Sequence, residues 1–391
     1  MIQLKDGIYW VGAIDWNLRN FHGHMTNHGT TYNSYLIRDE MTALVDTVKE
    51  PFFPDMIQHV KEVLDPTEID YIIVNHIEPD HAGSLARAVD VLKRAELIAS
   101  EKGKAGLQRY FGQKIKCTTI KEKPTVNLGK KTLQFVSTPM LHWPDSMVTY
   151  IPEEKLLLSN DAFGQHYASS GRFDDEAEQA ILWQEAARYY ANIVMPLWKV
   201  VLRALDGLGG LDIEMIAPSH GIIWRDRPGD IVQAYRRWAD GVSLDKVVIV
   251  YDTMWGSTER IAKALEESIA AEGVKVKVHK LGESHISDVA TDVLDAKAVL
   301  VGSPTLNVTL FPSVAYFLSY LRGLRPRDKI GAFFGSYGWG GGAKKAAEDD
   351  MRAAGIEVME SDLDFAYRPS DEELEKTIEF GKMVAKRVKS H

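Results

Sequence analysis

The sequence predicts two α/β domains in tandem, of which the second is a doubly wound parallel sheet. A chain of 391 residues is too long for one ordinary core, since domains usually have about 100–200 residues. Up to residue 243, short strand-like runs are mixed with turns, whereas from Asp245 onward strand and helix patterns alternate regularly. The proportions of hydrophobic residues, 45%, and charged residues, 26%, are ordinary for globular domains.

The first half contains short apolar runs and two longer amphipathic stretches. The stretches have apolar residues three and four positions apart, which predicts helices over residues 53–64 and 175–205. The short runs predict strands over residues 42–47, 70–75, 132–137, 147–151 and 155–159.

A change of pattern at Gly241-Val242-Ser243 indicates a linker, and we predict domains over residues 1–243 and 244–391. The run 247–251, VVIVY, is almost wholly apolar, as expected for a parallel strand covered on both faces. A terminal helix ends the second half, after predicted strands at 246–251, 274–280, 298–302 and 329–335 and helices at 257–272, 286–294, 313–321 and 343–354.

Charge and cysteine content exclude several classes of protein. The formal net charge of −9 argues against nucleic acid or an anionic membrane as the principal partner. No apolar run approaches the ~20 residues of a membrane span, and the first residues lack the pattern of a signal peptide. The single cysteine, Cys117, excludes internal disulfides, cysteine-rich zinc sites and iron–sulfur clusters. We therefore expect a soluble, cytoplasmic protein whose metals are bound by His, Asp and Glu.

A dense group of potential metal ligands follows the predicted strand 70–75. The loop His76-Ile77-Glu78-Pro79-Asp80-His81 offers four of them at nearly alternate positions. A polar loop can collect such residues by chance. The same half also offers ligands close to other short apolar runs, which favours a shared metal site: His142, Asp161 and His220.

The pattern H-x-E-x-D-H resembles the metallo-β-lactamase fold and, within it, the flavodiiron proteins. In the general hydrolase motif, H-x-H-x-D-H, a histidine stands where this chain has Glu78. That exchange replaces an imidazole nitrogen by a hard anionic oxygen, which suits iron or manganese better than a histidine-rich zinc pair.

The resemblance implies a role for each residue of the set. His76, Glu78 and His142 would bind one iron, Asp80 and His220 would bind the other, and Asp161 would bridge both. His81 matches a position that is either a ligand or a near neighbour. The candidates for orienting ligands or bound oxygen species are His22, His166 and Tyr190, for each of which ordinary packing is the alternative.

A second group of candidate binding residues follows the predicted strand that ends near Asp252. The turn Thr253-Met254-Trp255-Gly256-Ser257-Thr258 leads into a predicted helix, a geometry that presents backbone N–H groups to a phosphate. The absence of a lysine argues against a nucleoside triphosphate. The turn resembles the flavodoxin phosphate loop, [ST]-x-T-G-x-T, with Trp255 in place of the middle threonine, and its T-M-W-G-S-T form looks like the flavodiiron version.

Two later loops fit the same plan, because ligands of doubly wound sheets lie beyond the carboxyl ends of the strands. In flavodoxin-like proteins the corresponding loops bracket the flavin ring, so we expect FMN, with Trp255 or Trp339 near the ring unless these side chains simply pack. The loop residues are Pro304, Thr305, Leu306 and Asn307, and then Ser336, Tyr337, Gly338, Trp339, Gly340 and Gly341.

Together the two resemblances imply an N-terminal metallo-β-lactamase-like αββα domain and a C-terminal flavodoxin-like domain. The implied function is reduction of O2 to water and/or of NO to N2O at a non-haem diiron site. Electrons would pass through FMN from an external donor, a separate rubredoxin or reduced F420. A head-to-tail homodimer, or a dimer of dimers, would bring the flavin of one chain to the diiron site of the other.

Two alternatives remain at this point. One is a dinuclear zinc hydrolase with a fused flavodoxin-like domain. The other is an electron-transfer flavoprotein with a vestigial first domain, which the intact set of six ligands argues against.

Overall fold

The computed structural model describes residues 2–112 and 115–390 and divides into two compact units. The first unit comprises the chain up to Tyr189 together with Lys199–Arg236. The second comprises Tyr190–Trp198 and the chain from Arg237 onward.

The first unit is built mainly of short strands, many of them wholly buried. In chain order these strands are β1 (Ile2–Lys5), β2 (Ile8–Trp10), β3 (Ala13–Asp15), β4 (Asn20–Phe21), β5 (His24–Met25), β6 (Thr30–Tyr32), β7 (Tyr35–Arg38), β8 (Thr42–Val45), β9 (Tyr71–Val74), β10 (Glu96–Ala99), β11 (Thr118–Thr119), β12 (Thr125–Asn127), β13 (Thr132–Ser137), β14 (Met147–Ile151), β15 (Leu156–Asn160) and β16 (Met215–Pro218).

Helices connect these strands. The α-helices are α1 (Phe53–Lys61), α2 (Pro79–Ala82), α3 (Leu85–Val91), α4 (Glu101–Phe111), α5 (Gln179–Tyr189), α6 (Trp198–Leu208) and α7 (Pro228–Asp240). Short 3-10 turns cover Glu50–Phe52, Pro66–Glu68, Pro152–Glu154, Asp174–Glu176 and Met195–Leu197.

Two sheets form the centre of the first unit. The strand order is β1-β2-β7-β8-β9-β10-β11 in one sheet and β12-β13-β14-β15-β16 in the other. One core cluster joins side chains of both sheets, such as Ile73 and Leu158, and a second cluster joins the other face of the first sheet to α1 and α4. Helix α6 covers Leu157 on the second sheet through Leu205. These four layers confirm the predicted αββα fold.

The predicted single helix over residues 175–205 is wrong. Helix α5 ends at Tyr189, a π-helical turn spans Tyr190–Val194, a 3-10 turn spans Met195–Leu197, and α6 begins at Trp198. Pro196 lies within the 3-10 turn. It has no N–H to donate and its ring clashes with the preceding turn, so a continuous helix cannot pass through it.

The second unit is a parallel sheet with helices on both faces. Its order is β18-β17-β19-β21-β22, and β23 also pairs with β21. Separate apolar clusters lie on the two faces, which confirms the flavodoxin-like doubly wound sheet. The elements are β17 (Leu244–Tyr251), α8 (Ser257–Ala271), β18 (Lys275–Lys280), α9 (Ile286–Leu294), β19 (Ala296–Leu306), β20 (Thr309–Leu310), α10 (Pro312–Leu324), β21 (Ile330–Tyr337), α11 (Ala343–Ala353), β22 (Glu357–Val358), β23 (Asp364–Ala366) and α12 (Asp371–Ser390).

The last helix, α12, packs closely on α8. A Cβ atom added at Gly381 would lie 2.0 Å from Oγ of Ser268, so the two backbones approach as closely as a glycine allows. Phe380 and Val384 of α12 share a core cluster with Leu265 of α8. Among the helices of the described residues, none is long and apolar enough to cross a membrane.

Candidate metal centre and flavin site

The predicted metal ligands form two groups at the ends of strands in the first unit. His76, Glu78, His142 and Asp161 bring their ligand atoms within 4.8 Å of one another, and so do Asp80, His81 and His220. All seven side chains are buried except that of His142, which is partly buried. Two clusters of three or more His and carboxylate ligands suit two metal ions.

Asp161 lies between the two groups. Its Oδ2 is 3.2 Å from Nε2 of His142 in the first group. Its Oδ1 is 3.1 Å from Nε2 of His81 and 3.5 Å from Nε2 of His220 in the second. One oxygen thus faces each group, which is the arrangement that a bridging carboxylate requires.

Several of these polar atoms have no hydrogen bond. Both carboxylate oxygens of Asp80 and of Asp161, and Nε2 of His81, are buried close to ligand atoms of opposite charge, yet their orientation gives them no hydrogen-bond partner in the described part of the chain. Buried polar atoms in native proteins are nearly always satisfied, and exceptions require an explanation such as an ion. A pair of cations held between these side chains would satisfy them, so the residues fit a dinuclear metal centre.

The charges of the site also fit a cation pair. Burial opposes ionisation of Asp161, yet His81 and His142 hold its pKa well below the usual range. Burial lowers the pKa of His142, but Asp161 and Glu78 outweigh it and raise the value to about 10. The buried acids therefore attract positive charge strongly, and metal binding here would displace protons from histidine.

Other groups orient the histidines. Nδ1 of His76 donates to Oδ2 of Asp145 over 2.9 Å, and the same oxygen accepts the N–H of Ile77 over 2.9 Å. Nδ1 of His220 donates to the carbonyl of Thr31 over 2.7 Å. These bonds leave each Nε2 for the metal site, and such partners raise the basicity of a ligand and fix its ring.

The buried carboxylate of Asp46 supports the start of the loop that begins at His76. Oδ1 of Asp46 accepts the backbone N–H of Asn75 over 2.7 Å, directly before His76 in the chain. Oδ1 of Asn75 in turn accepts the hydroxyl of Thr149 over 2.8 Å. Burial raises the pKa of Asp46 to about 6 despite the opposing effect of His81 and of the Asn75 N–H.

In the second unit, the predicted phosphate loop precedes α8. Gly256 has φ +82°, a conformation that glycine adopts at little cost. Oγ1 of Thr253 accepts its N–H over 3.0 Å. Gly256 is the N-cap of α8 and makes no side-chain cap, so the first amides of the helix remain available to a phosphate.

The first predicted flavin loop follows β17, whereas Pro304, Thr305 and Leu306 are the last residues of β19, and Ser336 and Tyr337 are the last of β21. These three strands are neighbours in the parallel sheet. The hydroxyls of Thr258 and Ser336 lie 3.2 Å apart and connect the first loop to the third. Trp255 and Trp339 are 93% and 97% exposed, so neither is a core residue. Simple packing therefore does not explain these tryptophans.

Comparison with known proteins agrees with both sites. Residues 30–221 match the family model described as ODP family beta lactamase, and residues 249–381 match the Flavodoxin model. A nitric oxide reductase of Moorella thermoacetica is 48% identical over 99% of this chain and 98% of its own length.

Solved structures agree over the full length. The rubredoxin oxygen:oxidoreductase from Desulfovibrio gigas superposes with a TM-score of 0.96 at 39% identity, covering 100% of this chain and 98% of that one. The flavodiiron protein from Giardia intestinalis superposes with a TM-score of 0.93 at 34% identity, with the same coverage.

The chain belongs to the flavodiiron protein family. Membership confirms that it is an oxidoreductase and that its cofactors are FMN and a non-haem diiron centre. The comparisons favour this function over the zinc hydrolase.

Two further predicted residues of the flavodiiron centre lie beside the ligands. Nε2 of His22 is 2.9 Å from Oε1 of Glu78. The ring of His166 packs against that of His220 with centroids 5.0 Å apart, and its Nδ1 is 2.9 Å from Oγ1 of Thr30. Nε2 of His166 is buried without a hydrogen-bond partner in the described part of the chain.

Tyr189, the chain neighbour of the predicted Tyr190, lies beside the histidines. The ring of Tyr189 packs against His166 and His220, with centroids 5.1 and 6.2 Å away. Tyr190 begins the π-helical turn, belongs to the second unit and packs its ring on Trp238 there. Adjacent residues of a helix point about 100° apart, so only one of two neighbouring tyrosines can face the histidines.

Sequence reasoning missed Asp145, the carbonyl of Thr31 and Phe21, whose ring contacts those of His22 and His166. Asp145 lies in the same segment as His142, which is a weak signal for a carboxylate that supports a ligand. A backbone carbonyl leaves no signal in the sequence at all.

Proposed function

We propose that this flavodiiron protein reduces O2 to water and/or NO to N2O at its diiron centre. The observation that most directly supports this proposal is the position of Asp161, which directs one carboxylate oxygen to each of two buried ligand groups. The printed names of the relatives, a nitric oxide reductase and a rubredoxin oxygen:oxidoreductase, support the same two gases.

Electron counting agrees with both reactions. Reduction of O2 with four electrons and four protons gives two waters, and coupling of two NO with two electrons and two protons gives N2O and water. A reduced iron pair and a reduced FMN together supply four electrons when bound. The protein contributes binding, orientation and electrostatics.

We assign the following roles to the residues of this chain. His76, Glu78 and His142 hold one iron, Asp80 and His220 hold the other with His81 beside them, and Asp161 bridges. His22 donates from Nε2 to Glu78 and orients that carboxylate. His166 is placed to hydrogen-bond a bound gas through Nε2, because that atom is buried and makes no hydrogen bond within the described residues.

In the second unit, we propose that the loops Thr253–Thr258, Pro304–Asn307 and Ser336–Gly341 hold FMN, the first around the phosphate and the others around the ring. Their position at the carboxyl ends of three adjacent parallel strands supports this assignment. We place the boundary between the two functional domains after residue 243.

The relatives' names imply an external electron donor, and we propose a separate rubredoxin or reduced F420. Nothing in the net charge of −9 favours one over the other. We also propose a cytoplasmic location, because a chain with one cysteine needs no oxidising compartment.

The main test combines metal content with turnover. We expect about two irons per chain, and consumption of NO or O2 by the anaerobically reduced protein. Replacement of His142 by Asn should abolish gas consumption and leave the flavin absorbance unchanged. His59→Asn is the control, because His59 lies in the same unit, where it hydrogen-bonds the carbonyl of Gly12 and packs beside the ring of Trp10, away from the candidate ligands. Gas turnover by His142→Asn protein without metal, or two zincs that persist after iron supplementation, would refute the proposal.

A separate test addresses assembly. We propose a head-to-tail homodimer, or a dimer of such dimers, in which FMN of one chain serves the diiron centre of the other. Sedimentation velocity during serial dilution should show the dimer dissociating. Turnover per chain, assayed at the same concentrations, should fall as the dimer dissociates. A monomer with full turnover would contradict this arrangement.

A further inference from the structure

Strand β23 lies beside the point where the third flavin loop, Ser336–Gly341, leaves the sheet of the second unit. It pairs with β21 in parallel, with Asp364 opposite Gly335 and Phe365 opposite Ser336. The N–H of Gly335 donates to the carbonyl of Leu363 over 2.7 Å, so the pairing begins just before the loop. Residues of β23 are therefore fixed next to the third loop.

The side chain of Asp364 reaches this loop. A Cβ atom added at Gly341 would lie 3.6 Å from Oδ2 of Asp364. The other oxygen, Oδ1, is buried and has no hydrogen-bond partner in the described part of the chain. An ionised carboxylate without donors is costly to bury, so this environment favours the neutral acid, and burial raises the pKa of Asp364 to about 6.

The charged group that faces the carboxyl is Lys344, near the start of α11, and it opposes the rise in pKa. Its Nζ donates to the carbonyl of Ser361 and lies 3.7 Å from Oδ1 of Asp362, so its charge is shared. In β21 the only titratable side chain is that of Tyr337, and residues 338–342 of the chain carry none. Further loss of solvent around Asp364 would thus favour its protonated form.

The flavin ring, rather than the phosphate, is placed to remove that solvent. Strand β23 lies three strand spacings from β17, across β21 and β19. Neighbouring strands are about 4.8 Å apart, which puts the phosphate loop about 14 Å from β23. Charges at this separation are largely screened, because the Debye length is about 10 Å at 0.1 M salt.

We propose that Asp364 is the proton-binding group of the flavin site, and that FMN and a proton bind to the second unit together. The inference rests on the proposed placement of FMN around the three loops. As the ring covers the third loop, the carboxylate takes up one proton from solvent and forms a neutral acid, and no electron moves. When the flavin leaves, the proton returns to solvent.

The proposal has a definite sign. At pH 5 Asp364 already carries its proton, and flavin binding has no proton to take up. At pH 8 the carboxylate must be protonated on binding, which weakens the affinity. Flavin affinity should therefore be highest below pH 6 and fall as the pH rises.

The first test is a titration with riboflavin, because the phosphate of FMN itself titrates near pH 6. The full chain is used with its iron retained and its FMN removed. We expect the Kd of the parent to be about tenfold larger at pH 8 than at pH 5. Asp364→Asn should keep its Kd within twofold between these values, whereas the control Asp362→Asn should follow the parent, because Asp362 is 98% exposed.

The second test measures the proton itself and needs no variant. Calorimetric titration with riboflavin at pH 6.5, in two buffers of different ionisation enthalpy, gives the number of protons taken up. A tenfold effect on affinity corresponds to about half a proton at this pH. Asp364→Asn should take up almost none. A parent that takes up no proton would overturn the proposal.

A further variant separates this inference from the placement of FMN. Gly341→Val adds bulk to the third loop and should weaken riboflavin binding at both pH values. If it does so while Asp364→Asn and the parent show the same pH dependence, the role of Asp364 is wrong and the flavin site stands. If Gly341→Val binds riboflavin like the parent, the flavin does not lie against this loop, and the proposed placement fails together with the inference.

Discussion

Asp145 illustrates how a side chain that binds no metal can determine a metal centre. Its Oδ2 accepts both the ring N–H of His76 and the backbone N–H of Ile77, so one oxygen fixes the ligand and the loop that carries it. Outer partners of this kind typically change metal affinity 10–100-fold when they are removed.

Replacement of Asp145 by Ala should therefore lower iron affinity by about 10–100-fold. The ring of His76 would lose its acceptor and its fixed orientation. Competition with a chelator, followed by iron analysis, measures the change. Asp175→Ala is the control, because Asp175 is an exposed carboxylate of the same unit that pairs with Arg225. Equal iron retention in both variants would show that Asp145 does not support the site.

A second residue, Asp364 in the second unit, should make folding stability depend on pH. Burial raises its pKa to about 6, against the opposing effect of Lys344. The ordinary value is about 3.9. The folded chain therefore keeps a proton that the unfolded chain releases between these values, and this stabilisation is lost as the pH rises through 6.

The variant Asp364→Asn carries no such proton. We expect its advantage in urea midpoint over the parent to grow between pH 5 and pH 8. Asp362→Asn should show no such trend, because Asp362 is 98% exposed. If the advantage of Asp364→Asn is the same at both pH values, the raised pKa is wrong.

At the residue scale, the clustering of the candidate ligands could be predicted because His and carboxylates at strand ends have few other roles. The neighbouring tyrosines could not be distinguished, since the π-helical turn that begins at Tyr190 is set by packing and by Pro196 rather than by periodicity. The acceptor of His220 is a backbone carbonyl, that of Thr31, and any residue could supply it.

At the scale of elements, helix α8 depends on a glycine at each end. Gly256 and Gly273 have φ +82° and +76°, and a Cβ at either position would meet no atom within 4 Å. Alanine at either position would thus be strained only through its backbone, by about 1–2 kcal/mol. The two sites differ in that only Gly256 lies in the phosphate loop.

Gly256→Ala should therefore weaken FMN binding about tenfold if the bound loop must keep its positive φ. Gly273→Ala should lower the stability by a similar amount and leave FMN affinity unchanged. Flavin fluorescence titration of the apoprotein measures both affinities. Equal affinities in the two variants would mean that the conformation of Gly256 is not needed for binding.

Strands that are buried on both faces were predictable because short, continuous apolar runs seldom form any other kind of secondary structure. The run 147–151 corresponds residue for residue to β14, in which all five residues are buried. The prediction of a helix over residues 175–205 failed because the amphipathic periodicity of the sequence continues across Pro196, whereas a regular helical backbone cannot continue there. Strand β19 also extends to Leu306, beyond the predicted residue 302, because it pairs with β20 in a hairpin that hydropathy does not reveal.

At the scale of the whole molecule, each unit has its own core and its own cofactor. A ligand that binds only the folded state stabilises it, by about 4 kcal/mol at a thousandfold excess over Kd. For units of this size that corresponds to a shift in Tm of about 10 °C.

Calorimetry should therefore show two transitions with separate ligand dependence. Chelation of iron should lower the Tm of the first unit, and removal of FMN should lower that of the second. A single transition that responds equally to both treatments would show that the two units unfold together.

The contact between α12 and α8 has a consequence for synthesis of the chain. Helix α8 carries the phosphate loop at its N-terminus, yet its core partners Phe380 and Val384 are translated only after β23. Gly381 lets α12 lie directly against Ser268. The packing of α8 therefore becomes complete only once α12 has been made, so the helix that carries the phosphate loop gains this support late in the synthesis of the second unit.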